Sequence, residues 1–208
     1  MLADSYIFDM DGTLWDAVDS YCSVWNRTIE QLGVDCPPVR RDALLPMMGL
    51  PIETIYDRLV GERANAVEFN KVLSLNEHLM MPQLGGRLYP GVRQTFRKLT
   101  EAGARLFMIS NCGASGIPDF LTYTGLTPFI TDWLSIGLNG KDKTENIGIL
   151  VERYNLKTPV YIGDTEGDCR STHAAGIPFV WAAYGFGPNV EAPDYTIHSI
   201  TELTELPS

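Results

Sequence analysis

The chain has 208 residues, of which 45% are hydrophobic, and its formal net charge is −10 at pH 7. This size and apolar content are enough for a sizeable buried core, whereas the excess of acidic residues disfavours binding to the phosphate backbone of nucleic acids. No apolar run approaches the roughly 20 residues that a membrane span needs, and the N-terminus lacks the order of a signal peptide, so we expect a cytoplasmic protein without membrane contacts.

An apolar strand near the start of the chain ends in two aspartates. Residues 6–8 predict a buried β-strand, and Asp9 and Asp11 follow it, with Gly12 and Thr13 directly after them. Burying a strand that ends in two carboxylates costs free energy unless a cation is bound there or one carboxylate carries a proton. The pattern therefore predicts a charged functional site at the end of this strand.

Helical patterns fill the next segment. Apolar residues recur at helical spacing from Asp16 to Gly33. Three further helices are expected at Arg41 to Met48, Ile52 to Val60 and Glu62 to Met80. The Gly- and Pro-containing stretch from Pro82 to Pro90 indicates a linker. Residues 15–86 are therefore predicted to form an all-helical domain inserted into the chain.

Helices and strands alternate in the remainder of the sequence. The expected strands lie at residues 105–109, 133–136, 160–162, 178–181 and 194–197. The expected helices lie at residues 92–102, 117–123, 144–154 and 169–175. Mostly continuous apolar strands that alternate with helices predict a doubly wound parallel sheet, covered on both faces and built from residues 1–14 and 87–208. Ligands of such sheets bind at the carboxyl ends of the strands.

Polar residues follow two of these later strands. Ser110 and Asn111 come directly after the strand at 105–109, and Asp164 and Asp168 follow the strand at 160–162. Carboxylate oxygens are the ligands that Mg²⁺ prefers, and two strands can deliver them to one edge of a sheet. The sequence therefore predicts a Mg²⁺ site at this edge.

Together these motifs resemble the haloacid dehalogenase-like hydrolase superfamily. The positions similar to its four motifs are, in order, Asp9 with Asp11, Ser110, Lys143, and Asp164 with Asp168. The helical insert resembles the α-helical cap of the subfamily that contains phosphoglycolate phosphatase and β-phosphoglucomutase. The resemblance implies a Rossmann-type α/β core with a helical cap, and Mg²⁺-dependent hydrolysis of a small phosphorylated metabolite. A net negative charge does not oppose such a substrate, because a divalent cation and one lysine reverse the sign locally.

The resemblance also implies catalytic roles. Asp9 would attack phosphorus and form an aspartyl-phosphate, and Asp11 would protonate the leaving alcohol and then activate water. Ser110 would grip phosphate oxygens, together with backbone N–H groups of the following residues. Lys143 would neutralise the charge that the nucleophile and the phosphoryl group share, with Lys141 as a rival two residues away.

Metal-binding and substrate-binding positions follow from the same resemblance. The implied Mg²⁺ ligands are the carboxylate of Asp9, the backbone carbonyl of Asp11, the carboxylate of Asp164, and Asp168 either directly or through water. The implied substrate-binding positions are Gly12, Thr13, Asn111 and Gly49, and hydrogen bonding by Thr13 is also expected to fix the turn.

Departures from related motifs favour a phosphatase. Dehalogenases lack a carboxylate at the position of Asp11, because they have no alkoxide to protonate. A β-phosphoglucomutase typically has an arginine where Ile52 stands and a histidine where Tyr21 stands. A phosphomutase, or a phospho-receiver or binding module, is the alternative. Phosphoglycolate is suggested by resemblance alone, and a monomer and a homodimer are both open.

Overall fold

The computed structural model describes residues 3–206, so the predicted core boundaries at residues 1 and 208 lie outside the described residues. In chain order the strands are β1 (Ser5–Phe8), β2 (Trp15–Asp16), β3 (Arg87–Leu88), β4 (Arg105–Ser110), β5 (Ile130–Ser135), β6 (Pro159–Gly163), β7 (Phe179–Ala182) and β8 (Tyr195–Ile197). The α-helices are α1 (Val18–Leu32), α2 (Arg41–Leu44), α3 (Ile52–Leu59), α4 (Ala66–Leu84), α5 (Val92–Glu101), α6 (Gly116–Thr124), α7 (Ile136–Asn139), α8 (Lys143–Tyr154) and α9 (Glu166–Ala174).

Strand β1 lies in the middle of a six-stranded parallel sheet with the order β5-β4-β1-β6-β7-β8. Its first residue, Ser5, stands opposite Arg105 of β4 on one side and Pro159 of β6 on the other. The parallel α/β architecture predicted from the sequence is therefore confirmed. Because β1 and β6 are neighbours, the acidic segments that follow them meet at one edge of the sheet.

Both faces of the sheet are buried. Alternate residues of β1 point to opposite sides, so Tyr6 and Phe8 belong to one apolar cluster and Ile7 belongs to the other. Helices α8 and α9 cover the side of Ile7, whereas α5 and α6 cover the side of Phe8. Two-sided burial explains why these strands read as continuous apolar runs.

Helices α1 to α4 form the inserted unit, and it folds over the edge where β1 ends. Its interior includes the ring of Phe69, with centroids 5.5 Å from Trp25 and 5.3 Å from Tyr56. Strands β2 and β3 form an antiparallel ribbon that joins the unit to the sheet, with Asp16 opposite Arg87. Helix α4 also packs against α6 of the core. The division into a core and a cap at residues 15–86 stays a proposal, but the segment is not all-helical as predicted, because Trp15 and Asp16 pair with the returning chain as β2.

The return from the cap passes very close to the core. Gly85 has φ +58° and ψ −156°, a backbone conformation that favours glycine. A β-carbon at Gly85 would overlap the ring of Tyr123 on α6. The glycine therefore lets the last turn of α4 lie directly against the core helix.

The largest differences from the predicted helices lie in the cap. The helix expected at Glu62 to Met80 begins instead at Ala66, because Asn65 caps it by accepting a 3.0 Å hydrogen bond from the backbone N–H of Glu68. It then continues through Pro82 and ends two residues later at Leu84, so the proline lies in the last turn and the helix does not extend further.

The helix expected at Arg41 to Met48 is also shorter than predicted. It ends at Leu44 and tightens into a 3₁₀ turn at Leu45–Met47, which contains a proline. Between residues 3 and 206, no helix combines the length and the apolar character needed to cross a membrane.

Candidate active site

Asp9 continues β1 by one residue at the edge of the sheet. Its backbone N–H donates a 2.8 Å hydrogen bond to the carbonyl of Ile162 in β6, so the main chain of Asp9 is fixed by the ladder. Asp164 comes one residue after the end of β6. Since the two strands are paired, Asp9 and Asp164 are brought together, as the spacing of the acidic motifs predicts.

The chain turns sharply after Asp9. The carbonyl of Met10 accepts a 2.9 Å hydrogen bond from the N–H of Leu14, and Gly12 has φ +81°. A β-carbon at Gly12 would overlap the carboxylate of Asp164. Glycine is therefore required here both for the turn and for the close approach of the acidic loop.

Three buried carboxylates form one cluster. Oxygen atoms of Asp9, Asp164 and Asp168 all lie within 4.8 Å of one another, and the residues are 3%, 0% and 2% exposed. Hard divalent cations bind to such sets of carboxylate oxygens. The side chain of Asp11 is not a member of this cluster, and the proposed contact through its backbone carbonyl stays a prediction.

The protein holds two of these carboxylates with its own hydrogen bonds. Oδ2 of Asp164 accepts from the backbone N–H groups of Phe186 at 2.7 Å and Gly187 at 3.3 Å, and Thr13 Oγ1 lies 3.3 Å from Oδ1. Asp168 closes a capping box at the start of α9, where Oδ2 accepts from both the N–H and the hydroxyl of Thr165. Thr13 thus stabilises the turn and the acidic loop.

Lys143 is the cation beside the cluster. It stands at the start of α8, is 5% exposed, and donates to Oδ1 of Asp9 at 2.7 Å and to Oδ1 of Asp168. The rival Lys141 is exposed and pairs with Glu145 at 3.0 Å. The structure therefore brings Lys143, and not Lys141, to Asp9.

Burial governs the charges of the acidic residues. It raises the pKa of Asp9 to about 6, although the Lys143 ammonium opposes the rise and the charge of Asp168 adds to it. Burial also raises the pKa of Asp164, with further increases from Asp168 and Asp9. The single charge of Lys143 therefore does not balance the three carboxyl groups, and a bound cation would favour their ionised form.

Asp11 faces a different environment from Asp9. Oδ1 accepts a 2.8 Å hydrogen bond from Nε1 of Trp15, and Oδ2 lies 3.5 Å from the hydroxyl of Tyr21. Burial raises the pKa of Asp11 to about 8, and the negative charge of Asp9 adds to this rise, whereas the hydrogen bond from Trp15 opposes it. The site therefore favours the protonated form of Asp11 over that of an ordinary aspartate.

The loop after β4 connects the sheet to the cap. The buried Ser110 ends the strand, and its Oγ accepts from the backbone N–H of Cys112 at 3.4 Å. Nδ2 of Asn111 donates a 2.8 Å hydrogen bond to the carbonyl of Gly49 in the cap. Two predicted substrate-binding positions, Asn111 and Gly49, are thus in direct contact.

A cavity of about 160 Å³ lies between the cap and this edge of the sheet. Its lining includes five residues predicted as site residues from the sequence: Asp9, Asp11, Gly49, Ser110 and Asn111. Gly12 and Thr13 contact Asp164 instead. The cap contributes apolar side chains, among them Trp25 and Ile52, together with Glu77.

Several contacts of the site were not predicted from the sequence. The N–H groups of Phe186 and Gly187 act through the backbone, which no residue type reveals. Trp15 has a side-chain donor, but only the turn after Asp11 shows where it is directed. Glu77 on α4 enters the cavity because α4 packs on α6, a tertiary contact that periodicity does not predict.

Comparison with known proteins gives consistent similarities. Residues 6–182 match the family model described as haloacid dehalogenase-like hydrolase. The chain is 24% identical to a phosphoglycolate phosphatase of Vibrio parahaemolyticus, across 96% of this chain and 93% of that protein. It is 26% identical to a phosphoglycolate phosphatase of Agrobacterium fabrum, across 95% and 89%.

A solved structure shares the fold. The crystal structure of a predicted phosphoglycolate phosphatase from Haemophilus somnus superposes with a TM-score of 0.87 at 20% sequence identity, and the match covers 99% of this chain and 98% of that chain. At this identity the likeness shows the arrangement of sheet and helices, and it leaves the substrate open.

Proposed function

The chain belongs to the haloacid dehalogenase-like hydrolase family, and we propose that it is a Mg²⁺-dependent phosphatase that hydrolyses a small phosphomonoester through an aspartyl-phosphate on Asp9. The observation that carries the proposal is the convergence of Asp9, Asp11 and Lys143 on one edge of the sheet, beside the cavity under the cap. Relatives named phosphoglycolate phosphatase support the reaction class.

The acidic cluster fits a divalent cation. Three buried carboxylates face one lysine, and carboxylate oxygens are the ligands that Mg²⁺ prefers. Asp9, Asp164 and Asp168 would hold the ion, with the backbone carbonyl of Asp11 as a further proposed ligand. When bound, Mg²⁺ would neutralise negative charge shared by the phosphate group and Asp9.

In the first step, a carboxylate oxygen of Asp9 attacks phosphorus and the bond from phosphorus to the ester oxygen breaks. Lys143 favours the ionised form of Asp9, because its ammonium lies 2.7 Å from Oδ1. Asp11 gives its proton to the departing alkoxide, a role that its raised pKa suits. The products of this step are the free alcohol and the phosphorylated Asp9.

In the second step, Asp11 is a carboxylate and acts as the base. It takes a proton from a water molecule as the water oxygen attacks phosphorus, and the bond from phosphorus to Asp9 breaks. Inorganic phosphate leaves, Asp9 is again a carboxylate, and Asp11 again carries its proton. Ser110 and nearby backbone N–H groups would hold the phosphate oxygens in both steps.

The alternatives receive less support. Ile52 lines the cavity where a β-phosphoglucomutase would typically place an arginine for a second phosphate. A phospho-receiver needs its phosphorylated aspartate alone on a central strand, without a second carboxylate such as Asp11 beside it, and it has no helical insert after the first strand. A cytoplasmic location, and a monomer or homodimer, stay predictions.

A phosphate-release screen tests the proposal. The wild-type protein should release phosphate from p-nitrophenyl phosphate and from at least one sugar, alcohol or nucleotide phosphate in the presence of Mg²⁺, and chelation by EDTA should abolish the activity. Asp9→Asn should remove turnover while the circular dichroism spectrum is unchanged. Turnover by Asp9→Asn near the wild-type rate would overturn the role of Asp9, and a wild-type protein inactive on every ester would overturn the proposed function.

A further inference from the structure

The cavity under the cap indicates which esters this site accepts. Resting on the proposed function, we propose that the leaving alcohol carries hydrogen-bond donors and no negative charge, and that Glu77 of the cap is the residue that determines this specificity. The shared chemistry is that of an amino alcohol or a polyhydroxy alcohol joined to one phosphate group.

Glu77 reaches the site from the cap. It lies on α4, lines the cavity, and its Oε2 is 3.8 Å from where a β-carbon on Gly113 would stand. Gly113 belongs to the loop after Ser110, the proposed phosphate-binding loop. The carboxylate of Glu77 therefore projects across the cavity to the edge of the sheet where the leaving group would emerge.

The cavity has acidic walls and no basic side chain. Among the described residues that line it, the carboxylic acids are Asp9, Asp11, Glu77 and Asp119, and none is a lysine, an arginine or a histidine. Lys143 pairs with Asp9, and the raised pKa of Asp11 favours its neutral form, so the unpaired carboxyl group on the cap side is that of Glu77. A carboxylate on the leaving alcohol would meet like charge there without a cationic partner in the described lining, and such juxtaposition weakens binding. An ammonium or a hydroxyl group would instead find an acceptor.

The surroundings of Glu77 give it no partner of opposite charge within the cavity. Burial raises its pKa to about 7, and the charge of Asp119 on α6 adds to the rise. The next residue on α4, His78, is turned outward with 61% of its side chain exposed, and it pairs with Asp119 at 3.4 Å. A donor on the substrate would supply the interaction that Glu77 lacks.

A second acceptor in the same cavity also supports a leaving alcohol that carries hydrogen-bond donors. Oδ1 of Asn70 on α4 is buried, lines the cavity, and has no hydrogen-bond partner within residues 3–206. Buried polar atoms are nearly always paired, so an orphaned acceptor calls for a donor. Asn70 and Glu77 are seven positions apart on one helix, about 10 Å along the same face, so the cap presents two acceptors to the cavity.

The proposed substrate class excludes phosphoglycolate, the substrate for which the relatives are named. Phosphoglycolate has a leaving group that carries a carboxylate, and the described lining has no cation to receive it. The relatives compared above that are named for that substrate are only 24% and 26% identical to this chain. We therefore expect phosphoglycolate to be a poor substrate here.

A matched panel of esters tests the inference. Values of kcat/KM are measured for phosphoglycolate, 2-hydroxyethyl phosphate and 2-aminoethyl phosphate, with p-nitrophenyl phosphate as a reporter of the chemistry. We expect phosphoglycolate to be at least about tenfold slower than the better of the two donor-bearing esters. A higher kcat/KM for 2-hydroxyethyl phosphate would indicate a polyhydroxy alcohol as the natural leaving group, and a higher value for 2-aminoethyl phosphate would indicate an amino alcohol.

Glu77→Gln tests the residue, with Glu68→Gln as the control. Both variants remove one carboxylate from α4, but Glu68 is exposed in the first turn and does not line the cavity. We define the preference as kcat/KM for the better donor-bearing ester divided by kcat/KM for phosphoglycolate. Glu77→Gln should lower this ratio by about tenfold, and Glu68→Gln should leave it unchanged.

The outcomes separate the two proposals. If p-nitrophenyl phosphate is hydrolysed in an Asp9-dependent way but neither donor-bearing ester is faster than phosphoglycolate, the inference is overturned and the phosphatase stands. An unchanged preference in folded Glu77→Gln overturns the role of Glu77. Failure on every ester, including the reporter, overturns the proposed function itself. The wild-type panel decides the substrate class even if a variant does not fold.

Discussion

The ammonium nitrogen of Lys143 lies 2.7 Å from Oδ1 of Asp9, and it also donates to Asp168. All three side chains are at least nine-tenths buried. Removing one partner of such an arrangement leaves uncompensated charge away from water, at a typical cost of about 3–5 kcal/mol. One lysine therefore connects the proposed nucleophile with the proposed metal site.

Lys143→Met should lower both stability and activity. In EDTA its free energy of unfolding should fall by about 3 kcal/mol, and with Mg²⁺ its kcat should fall by about 10²–10³-fold, since a preorganised charge beside the phosphoryl group is lost. Urea denaturation and phosphate release measure the two effects. Lys141→Met is the control, and it should change stability by less than about 0.5 kcal/mol. Equal effects at both positions would contradict the assignment of Lys143.

Asp11→Asn should lower kcat by about 10²–10⁴-fold, the range expected when an acid–base group is lost. The amide keeps the size of the side chain and an oxygen that can accept from Trp15, so the thermal midpoint should stay close to that of the wild type. The loss should be smaller with p-nitrophenyl phosphate, because p-nitrophenolate leaves without protonation. A uniform loss on esters of good and poor leaving groups would argue against an acid role.

Mg²⁺ should stabilise the folded protein. A ligand at about 100 times its Kd adds about 2.7 kcal/mol to the free energy of unfolding, which corresponds to roughly 5–10 °C for a chain of this size. Asp164→Asn should remove the shift measured by differential scanning fluorimetry, whereas Asp35→Asn, at an exposed cap position, should retain it. A full shift in Asp164→Asn would contradict the proposed ligand set.

The ion pair between Arg41 and Asp16 should make the stability of the protein depend on pH. Arg41 of α2 makes two parallel contacts with Asp16 in the connecting ribbon, at 3.1 Å from Nη1 and 2.5 Å from Nη2. Burial acts to raise the pKa of Asp16, but the hydrogen bonds and the charge of Arg41 outweigh it and the pKa falls below 3.8. The charged form is thus favoured in the folded state, so its contribution to stability is present above pH 3.8 and is lost as pH falls through the folded pKa.

Asp16→Asn should therefore destabilise the protein by about 1 kcal/mol at pH 7, the upper end for such pairs, and by progressively less below pH 3.8. Urea denaturation at pH 7, 4 and 3 measures this difference. Asp19→Asn removes the other, largely exposed partner of Arg41 and should change stability by less than about 0.5 kcal/mol. A loss of unfolding free energy that is the same at all three pH values would exclude an ionic contribution from Asp16.

The sheet and its acidic edge were predictable because their signals are local. Each buried strand is a short apolar run, and Asp9 and Asp164 stand where β1 and β6 end. Parallel pairing then brings the two strand ends together without further information. The proximity of Lys143 followed from the motif resemblance, while the choice between Lys143 and Lys141 needed the start of α8 to be located.

The cap was less predictable because α4 has apolar residues on several faces. Leu73 is buried, whereas Leu75 and Leu79 are exposed, so the sequence does not show which side meets the core. Glu77 therefore gave no signal, although it lines the cavity. The start of α4 did have a signal, the pair Asn65 and Glu68 at capping distance, and it was masked by the helical pattern that precedes it.

The central position of β1 has a consequence for how the molecule comes into being during synthesis. Asp9 is made early, but Lys143 lies 134 residues further along, and Thr13 is 151 residues from the Asp164 it contacts. Closing such long stretches of chain is slow compared with forming helices. A nascent chain that has emerged only as far as the cap therefore contains Asp9 but neither Lys143 nor Asp164, and the proposed site is complete only once β6 has been inserted beside β1.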